Sequence, residues 1–221
     1  RTQSLGFLVG YSLLALWKVI VDCPKHAPNV GAVLRQASVL QTPGNEDGVS
    51  AVLLSSSLGD PYAPSEKFLK SVVRISLADR HPSLRQPTKL VVLPKGDPAE
   101  SLRTLIEEGF LLVALENKEA CGCGPAQALW KAPLAKHRKV AFLAGGEDVG
   151  LSESILDLCH LQCFIPGAEC PLALGADVRR ELGQVGYNPT LNLAHAVVIA
   201  LYERHRQLAC SGAGSTTDAP K

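Results

Sequence analysis

The sequence lacks methionine and has almost no net charge. Methionine is absent from all 221 residues, and this absence favours no particular function. The 22 basic and 21 acidic residues leave a formal net charge of +1, which excludes a general electrostatic attraction to nucleic acid or to a membrane surface. Any binding of RNA or DNA must therefore use a local patch. The hydrophobic content of 46% argues against disorder and favours one folded domain.

The seven cysteines lack the regular spacing of a disulfide framework or a zinc site. Their number is odd, and neither a CxxC pair nor a repeated CxxC spacing is present around Cys121 and Cys123. We therefore expect reduced thiols and no bound metal. The expected location is intracellular and soluble, with the cytoplasm preferred and an organelle kept as the alternative.

A long uninterrupted hydrophobic run is also missing. The most apolar stretch, residues 5–21, is slightly short of the roughly 20 residues of a membrane span, is interrupted by Lys18, and has no cleavage pattern after it. We expect no membrane contact. The stretch divides into a helical extension at 1–16 and a buried strand at 17–21, where the β-branched residues concentrate.

Short apolar strands alternate with helices along the rest of the chain. Predicted strands cover 17–21, 49–54, 89–93, 110–115, 140–144 and 162–165. Predicted helices cover 30–40, a segment from 65, 98–108, 152–158 and 193–207, with Asn29 as the N-cap of the first. We expect residues 116–135 to be irregular and residues 209–221 to be a disordered tail. The alternation predicts an α/β fold with a parallel sheet flanked by helices.

Residues 140–151, VAFLAGGEDVGL, predict a strand, a glycine loop and a helix start. Glycines allow the backbone to approach a ligand closely, and a helix start offers unpaired N–H groups. The alternative is a tight connection of the kind found in any α/β protein. A dinucleotide site is a weak alternative, because no GxGxxG follows an early strand. The basic run at 136–139 is either a solvated strand entry or a phosphate contact.

Three motifs stand in order: NVGAVLR at 29–35, LAGGEDVGLSE at 143–153, and FIPG followed by NPTLNLAHAVVIALYE at 164–203. Together they resemble the three motifs of the SpoU/TrmH family of RNA ribose 2′-O-methyltransferases, in the SPOUT class. The resemblance covers roughly residues 17–206 and implies one methyltransferase domain at 17–208. It also implies a deep C-terminal trefoil knot, which is otherwise nearly absent from proteins.

The resemblance implies roles for particular residues. Arg35 and Asn29 form the motif 1 pair, Glu147 is the motif 2 carboxylate, and Asn192 is the motif 3 amide. S-adenosylmethionine would be held by the motif backbones. The residues in contact with it would be Leu143, Ala144, Gly145, Gly146, Gly150, Ile165 and Leu191. Family members work as homodimers whose interface contains the active sites.

The sequence departs from the family pattern in two places. Thr190 stands where motif 3 normally has serine, which keeps the hydroxyl and adds a methyl group. Residues 167–189 form an expected insertion between motifs that usually follow each other closely. This insertion would lie beside the cofactor and could contact RNA or cover the pocket.

The implied reaction is methylation of a ribose 2′-hydroxyl in tRNA or rRNA, with tRNA preferred. A 2′-hydroxyl is a poor nucleophile and needs accurate positioning. A guanidinium stays protonated in proteins, so we assign Arg35 as a bidentate clamp on the adjoining RNA phosphate rather than as a base. The alternative function is an RNA-binding homologue with weak or no catalysis, for which Thr190 and the insertion are the motivating features.

Overall fold

A computed structural model describes residues 16–40, 51–55, 65–77, 89–93, 98–116, 126–146, 150–166 and 191–213. The predicted N-terminal helix lies outside the described residues, except for Leu16, which is the first residue of a strand. The expected insertion at 167–189 and residues 214–221 of the expected tail also lie outside them.

The described strands form one seven-stranded sheet in which every neighbouring pair is parallel. Their order across the sheet is β3-β2-β1-β6-β4-β7-β5. The bounds are β1 Leu16–Asp22, β2 Ala51–Ser55, β3 Lys89–Val92, β4 Leu111–Leu115, β5 Ala126–Ala128, β6 Lys139–Ala144 and β7 Leu161–Phe164. This confirms the expected parallel sheet with helices around it.

Five α-helices connect or follow these strands in the described part of the chain: α1 Ala27–Val39, α2 Glu66–Leu77, α3 Pro98–Glu107, α4 Glu153–Leu156 and α5 Leu193–Ala213. Ser65 caps α2, because its Oγ accepts a hydrogen bond from the Phe68 N–H at 3.1 Å. Gly109 ends α3 with a φ of +85°, which glycine adopts without strain. Two short 3₁₀ turns cover Leu129–Lys131 and Leu134–Lys136.

The side chains of the central strands fill two hydrophobic layers, one on each face of the sheet. Val19, Val21 and Phe142 pack in one layer with residues of α1 and α5. Ile20 and Leu143 lie in the other layer with residues of α3 and α4. Alternate residues of a strand point to opposite faces, so β1 and β6 are buried on both sides. This rigid centre positions the loops at the strand ends.

The first helix begins earlier than the sequence predicts. His26 is the N-cap of α1 and Pro28 lies in the first turn, where the fixed φ of proline suits a helix. Asn29 is therefore inside the helix, and its assignment as the N-cap was wrong. The side chain of Asn29 is consequently available for a contact with a distant segment.

Two other boundaries differ from the prediction. The segment expected to be irregular contains β5 and both 3₁₀ turns. Helix α5 continues to Ala213, so the first residues of the expected disordered tail are helical. The expected C-terminal knot is not shown, and residues 167–190, which join β7 to α5, lie outside the described part of the chain.

Candidate active site

Four neighbouring strands end at the same level at one edge of the sheet. In the strand register, Val21 of β1 lies opposite Ala144 of β6, Ala144 opposite Leu115 of β4, and Leu115 opposite Cys163 of β7. Strand β2, which follows β1 in the chain, lies on one side of β1 in the sheet, whereas β6 and β4 lie on its other side. The strand order therefore reverses at β1. Ligands of open parallel sheets bind at such reversals of strand order, beyond the carboxyl ends of the strands. This edge is the candidate site.

The glycine loop after β6 folds back tightly on itself. The Gly150 N–H donates to the Gly146 carbonyl oxygen at 3.0 Å, and Gly150 has a φ of +66°. A Cβ on Gly145 would overlap the Gly150 backbone, and a Cβ on Gly146 would lie 2.7 Å from the Cys23 carbonyl oxygen. Only glycine fits at either position without displacing backbone. The loop is thus packed against the end of β1.

Glu116 holds the far side of this loop and was missed in the sequence. Its Oε1 accepts a hydrogen bond from the Leu151 N–H at 2.6 Å, which is a short, charge-assisted bond. The same oxygen would lie 3.0 Å from a Cβ on Gly150. Glu116 is the first polar residue after the buried strand β4. That position was the available signal, because residues after parallel strands reach the ligand-binding edge.

Cys159 follows α4 and lies close enough to Glu116 to be affected by its charge, but it is not a candidate nucleophile. Burial, together with the negative charge of Glu116, raises the pKa of its thiol from 9.0 to about 12. Its Sγ donates to the Ile155 carbonyl oxygen at 3.3 Å. A thiol with such a pKa stays protonated near neutral pH, and only the thiolate is reactive.

Asn29 and Asn192 join the first and third motifs. The Nδ2 of Asn192 donates to the Oδ1 of Asn29 at 3.0 Å, although 163 positions separate them in the sequence. The Oδ1 of Asn192 accepts from the Ala194 N–H at 2.9 Å and so caps α5. Val30 and Val33 of α1 pack with Leu193 and other buried residues of α5. The two amides are therefore fixed at the meeting point of two packed helices.

The remaining predicted site residues are placed as follows. Arg35 is half-buried on α1, the helix that carries Asn29. Leu143 and Ala144 are buried at the end of β6, Ile165 is half-buried just after β7, and Leu191 is exposed before α5. Glu147 and Thr190 lie outside the described residues. The structure brings the two asparagines into direct contact, and it brings the three glycines together.

The basic run at 136–139 lies at the opposite edge of the sheet. Lys139 is the first residue of β6, and the glycine loop follows the last. Six strand residues span about 17–20 Å. The Nζ of Lys139 donates to the Glu108 carbonyl oxygen at 2.6 Å and lies 5.5 Å from the centre of the Phe110 ring. These contacts favour a structural role at the strand entry for Lys139.

Within the described ranges, no group of three or more His, Cys, Asp or Glu side chains could hold a metal ion. The helices described by the structure include none that is long and apolar enough to cross a membrane.

The fold and this edge define a parallel α/β protein with a glycine loop and a pair of bonded amides. No protein-family model matches the chain. The chain is 26% identical over 182 residues to uncharacterised tRNA/rRNA methyltransferases of Mycobacterium tuberculosis and Mycobacterium bovis. The match covers 80% of this chain and 48% of the relatives, so the chain spans about half of their length.

Solved structures of SpoU and TrmH methyltransferases share the fold. The SpoU methyltransferase AviRb from Streptomyces viridochromogenes, in complex with AdoMet, has a TM-score of 0.56 and 22% identity over 87% of this chain and 57% of its own. A structure described for "2-OH methylation of C/U34 on tRNA" has a TM-score of 0.56 and 22% identity, over 89% of this chain and 98% of its own. The TrmH/SpoU tRNA-modifying enzyme of Aquifex aeolicus has a TM-score of 0.56 and 18% identity, over 96% of this chain and 86% of its own. The resemblance predicted from the three motifs is therefore confirmed at the level of the fold.

Proposed function

We propose that the protein transfers a methyl group from S-adenosylmethionine to the 2′-hydroxyl of a ribose in RNA. The observation that carries this proposal is the hydrogen bond between Asn29 and Asn192. It joins the first and third motifs at the start of α1, which follows the carboxyl end of β1, the edge where parallel sheets bind ligands. The curated relatives and the structural neighbours are RNA methyltransferases, which supports the same reaction class.

The described residues fit S-adenosylmethionine. A side chain on Gly145 or Gly146 would meet the backbone of Gly150 or Cys23, so these glycines allow the loop its tight shape at the end of β6. Leu143 and Ala144 lie in the strand that leads into the loop, and Ile165 and Leu191 add partly exposed apolar surface. These residues, with Gly150, would hold the adenosine and methionine parts. When bound, the group supplies a methyl on a positively charged sulfur.

The chain itself positions the RNA. Arg35 clamps the phosphate next to the target ribose through two N–H donors, and a phosphate oxygen or water accepts the proton that the hydroxyl loses. Asn29 and Asn192 orient Arg35 or the ribose. Glu147 holds the loop or pairs with Arg35, and the Thr190 hydroxyl replaces that of the family serine. For these two residues the proposal rests on the motifs alone.

A homodimer and a knotted C-terminal part complete the proposal. Helices α1 and α5 pack together, and they leave Val39, Ile199 and Tyr202 exposed. Exposed apolar side chains on both helices support a second copy as the partner. The dimer would bring RNA-binding surface of one copy to the site of the other.

We propose tRNA rather than rRNA as the RNA. Two of the structural neighbours are described as acting on tRNA. Another neighbour is described as an rRNA methyltransferase, and the curated relatives are named tRNA/rRNA methyltransferases. The methyl-transfer assay below therefore includes both RNAs.

Transfer of a labelled methyl group from S-adenosylmethionine tests the proposal. Unmodified tRNA and rRNA transcripts are incubated with the protein, and the product is hydrolysed with alkali. A 2′-O-methyl group removes the hydroxyl that cleaves the backbone, so labelled alkali-resistant dinucleotides are expected from tRNA. Label in bases only, or no transfer despite binding of S-adenosylmethionine in calorimetry, would contradict the proposed reaction. The second of these outcomes would favour the inactive RNA-binding homologue.

A further inference from the structure

Trp130 is a large aromatic side chain that the fold leaves in solvent. It is 55% exposed, whereas Leu129 before it and Ala132 after it are each 2% exposed. A tryptophan is usually buried because its large apolar surface makes exposure unfavourable. Its exposure between buried neighbours indicates that the turn Leu129–Lys131 presents this ring outward.

The turn that carries Trp130 is held rigidly. The Ala132 N–H donates to the Leu129 carbonyl oxygen at 3.1 Å, and Leu134 is fully buried. Gln207 of α5 donates to the Ala132 carbonyl oxygen at 3.0 Å and accepts from the Ala135 N–H at 3.2 Å. A fixed backbone removes the cost of ordering a loop when a partner binds. The backbone that carries Trp130 is therefore preorganised for contact.

A buried arginine fixes the end of the same segment. Arg204 of α5 is 2% exposed, and its Nη2 donates to the carbonyl oxygens of His137 at 3.2 Å and Arg138 at 2.9 Å. This burial lowers the pKa of Arg204 to about 10. Helix α5 thus holds residues 132–138 along one side.

The strand register places Trp130 near the candidate site. Trp130 follows β5 by two residues, and the last residue of β5, Ala128, lies opposite Phe164 of β7. Strands β5 and β7 are parallel, so both end at the edge that carries the glycine loop. Ile165, a predicted cofactor residue, comes directly after Phe164. The ring therefore lies beside the candidate site rather than in it.

The surrounding charge favours an anionic partner. Lys131 is the one charged residue between positions 120 and 135 of the sequence. Lys131 is exposed and adjacent to Trp130. An exposed aromatic ring next to a cation is the combination that binds single-stranded nucleic acid, by stacking on a base and contact with a phosphate.

We propose that Trp130 and Lys131 form an RNA-docking platform beside the methyl-transfer site, with an unpaired base stacked on Trp130 and a phosphate on Lys131. This inference rests on the proposed function and extends it to the way in which the substrate is held. The platform binds RNA whether or not the bound nucleotide is the one that is methylated.

Fluorescence titration with single-stranded oligouridylate tests the platform. The chain has two tryptophans, and Trp17 is only 6% exposed. The fluorescence that a ligand in solution can quench therefore comes mainly from the exposed Trp130. Oligouridylate should quench this emission in the wild type. Because the Trp130 variants lack this reporter, their affinities are measured by the fluorescence anisotropy of labelled oligouridylate: Trp130→Ala should weaken binding about 5- to 100-fold, and Trp130→Phe should restore most of it. Unchanged affinity in Trp130→Ala would overturn the platform.

A matched pair of lysines provides the control. Lys131→Ala and Lys70→Ala each remove one exposed positive charge, and Lys70 lies on α2 in an ion pair with Glu66. Only Lys131→Ala should weaken binding and reduce its salt dependence. Equal losses in both variants would overturn the platform, as would Trp130 emission that responds to protein concentration instead of RNA.

Calorimetry with S-adenosylmethionine is run in parallel. Normal cofactor binding with no effect of the variants on RNA binding rejects only the platform, whereas absent cofactor binding rejects the proposed function.

Discussion

The side chain of Asn192 donates to that of Asn29 across 3.0 Å, and the same amide caps α5 through its oxygen. One residue therefore performs two tasks: its Oδ1 holds the start of the last helix, and its Nδ2 holds the first helix. The direction of the bond follows, because an oxygen that accepts from the Ala194 N–H leaves the nitrogen to face Asn29. A substitution at either asparagine should therefore change the contribution of the other to the free energy of unfolding.

A double-mutant cycle measures this coupling. Asn29→Ala and Asn192→Ala each remove the bond, so the double variant should lose less free energy of unfolding than the sum of the single losses. The expected coupling is about 0.5–1.5 kcal/mol. Asn192→Asp separates the two tasks, because a carboxylate still caps the helix but offers no donor to Asn29. We expect Asn192→Asp to keep most of the stability and to lose methyl transfer. Additive losses in urea denaturation would contradict the assigned bond.

Alanine substitutions in the glycine loop should abolish cofactor binding. A Cβ at position 145 would overlap the Gly150 backbone, and a Cβ at position 146 would press on the Cys23 carbonyl oxygen. Because backbone must move in either case, we expect a loss of about 1–3 kcal/mol in the free energy of unfolding. Calorimetry should show no binding of S-adenosylmethionine.

Gly109→Ala is the matched control for this loop. Gly109 also has a positive φ, of +85°, but no atom lies within 4 Å of its expected Cβ. The variant should cost about 1–2 kcal/mol through backbone strain alone and should bind the cofactor normally. If all three variants bound alike, the loop would not be part of the pocket.

The central strands were predictable because their signal is local. Strands β1 and β6 are continuous apolar runs, and both were predicted within one residue at each end. Strand β5 has three residues and exists through its pairing with β7, so periodicity could not reveal it. The order β3-β2-β1-β6-β4-β7-β5 also depends on long-range pairing, which no short pattern contains.

The tight loop at Gly145, Gly146 and Gly150 was predictable for the same reason, because glycine reports a backbone requirement directly. The assignment of these glycines to a cofactor pocket stays a prediction. The capping preference of Asn29 led to a wrong helix start, because Pro28 sets the first turn and the amide of Asn29 serves a distant partner. Glu116 was missed because a single acid in a segment expected to be irregular gives no pattern.

Cys159 should make the protein less stable in alkali. Burial raises the pKa of its thiol to about 12, above its ordinary 9.0, so the unfolded chain loses this proton at a lower pH than the folded chain does. The stability is therefore complete below about pH 9 and falls as the pH rises toward 12. At about pH 10 the loss is on the order of 1 kcal/mol. Cys159→Ser should remove this part of the pH dependence in urea denaturation.

Thiol labelling followed by peptide mass spectrometry should detect modification of the exposed Cys210 long before that of Cys159. Early modification of Cys159 would contradict the structure.

Arg35→Ala should abolish methyl transfer and leave cofactor binding largely intact. Arg35 is half-buried on α1. The same helix carries Asn29, which accepts the hydrogen bond from Asn192. The glycine loop belongs to β6 instead, so loss of this guanidinium should not disturb the cofactor. Arg35→Lys keeps the charge but not the two-pronged contact, and it should restore little activity if the phosphate is held bidentately. Single-turnover methyl transfer, with calorimetry on the same samples, distinguishes these outcomes. Turnover equal to that of the wild type in Arg35→Ala would show that another residue positions the ribose, and full rescue by lysine would reduce the role of Arg35 to a point charge.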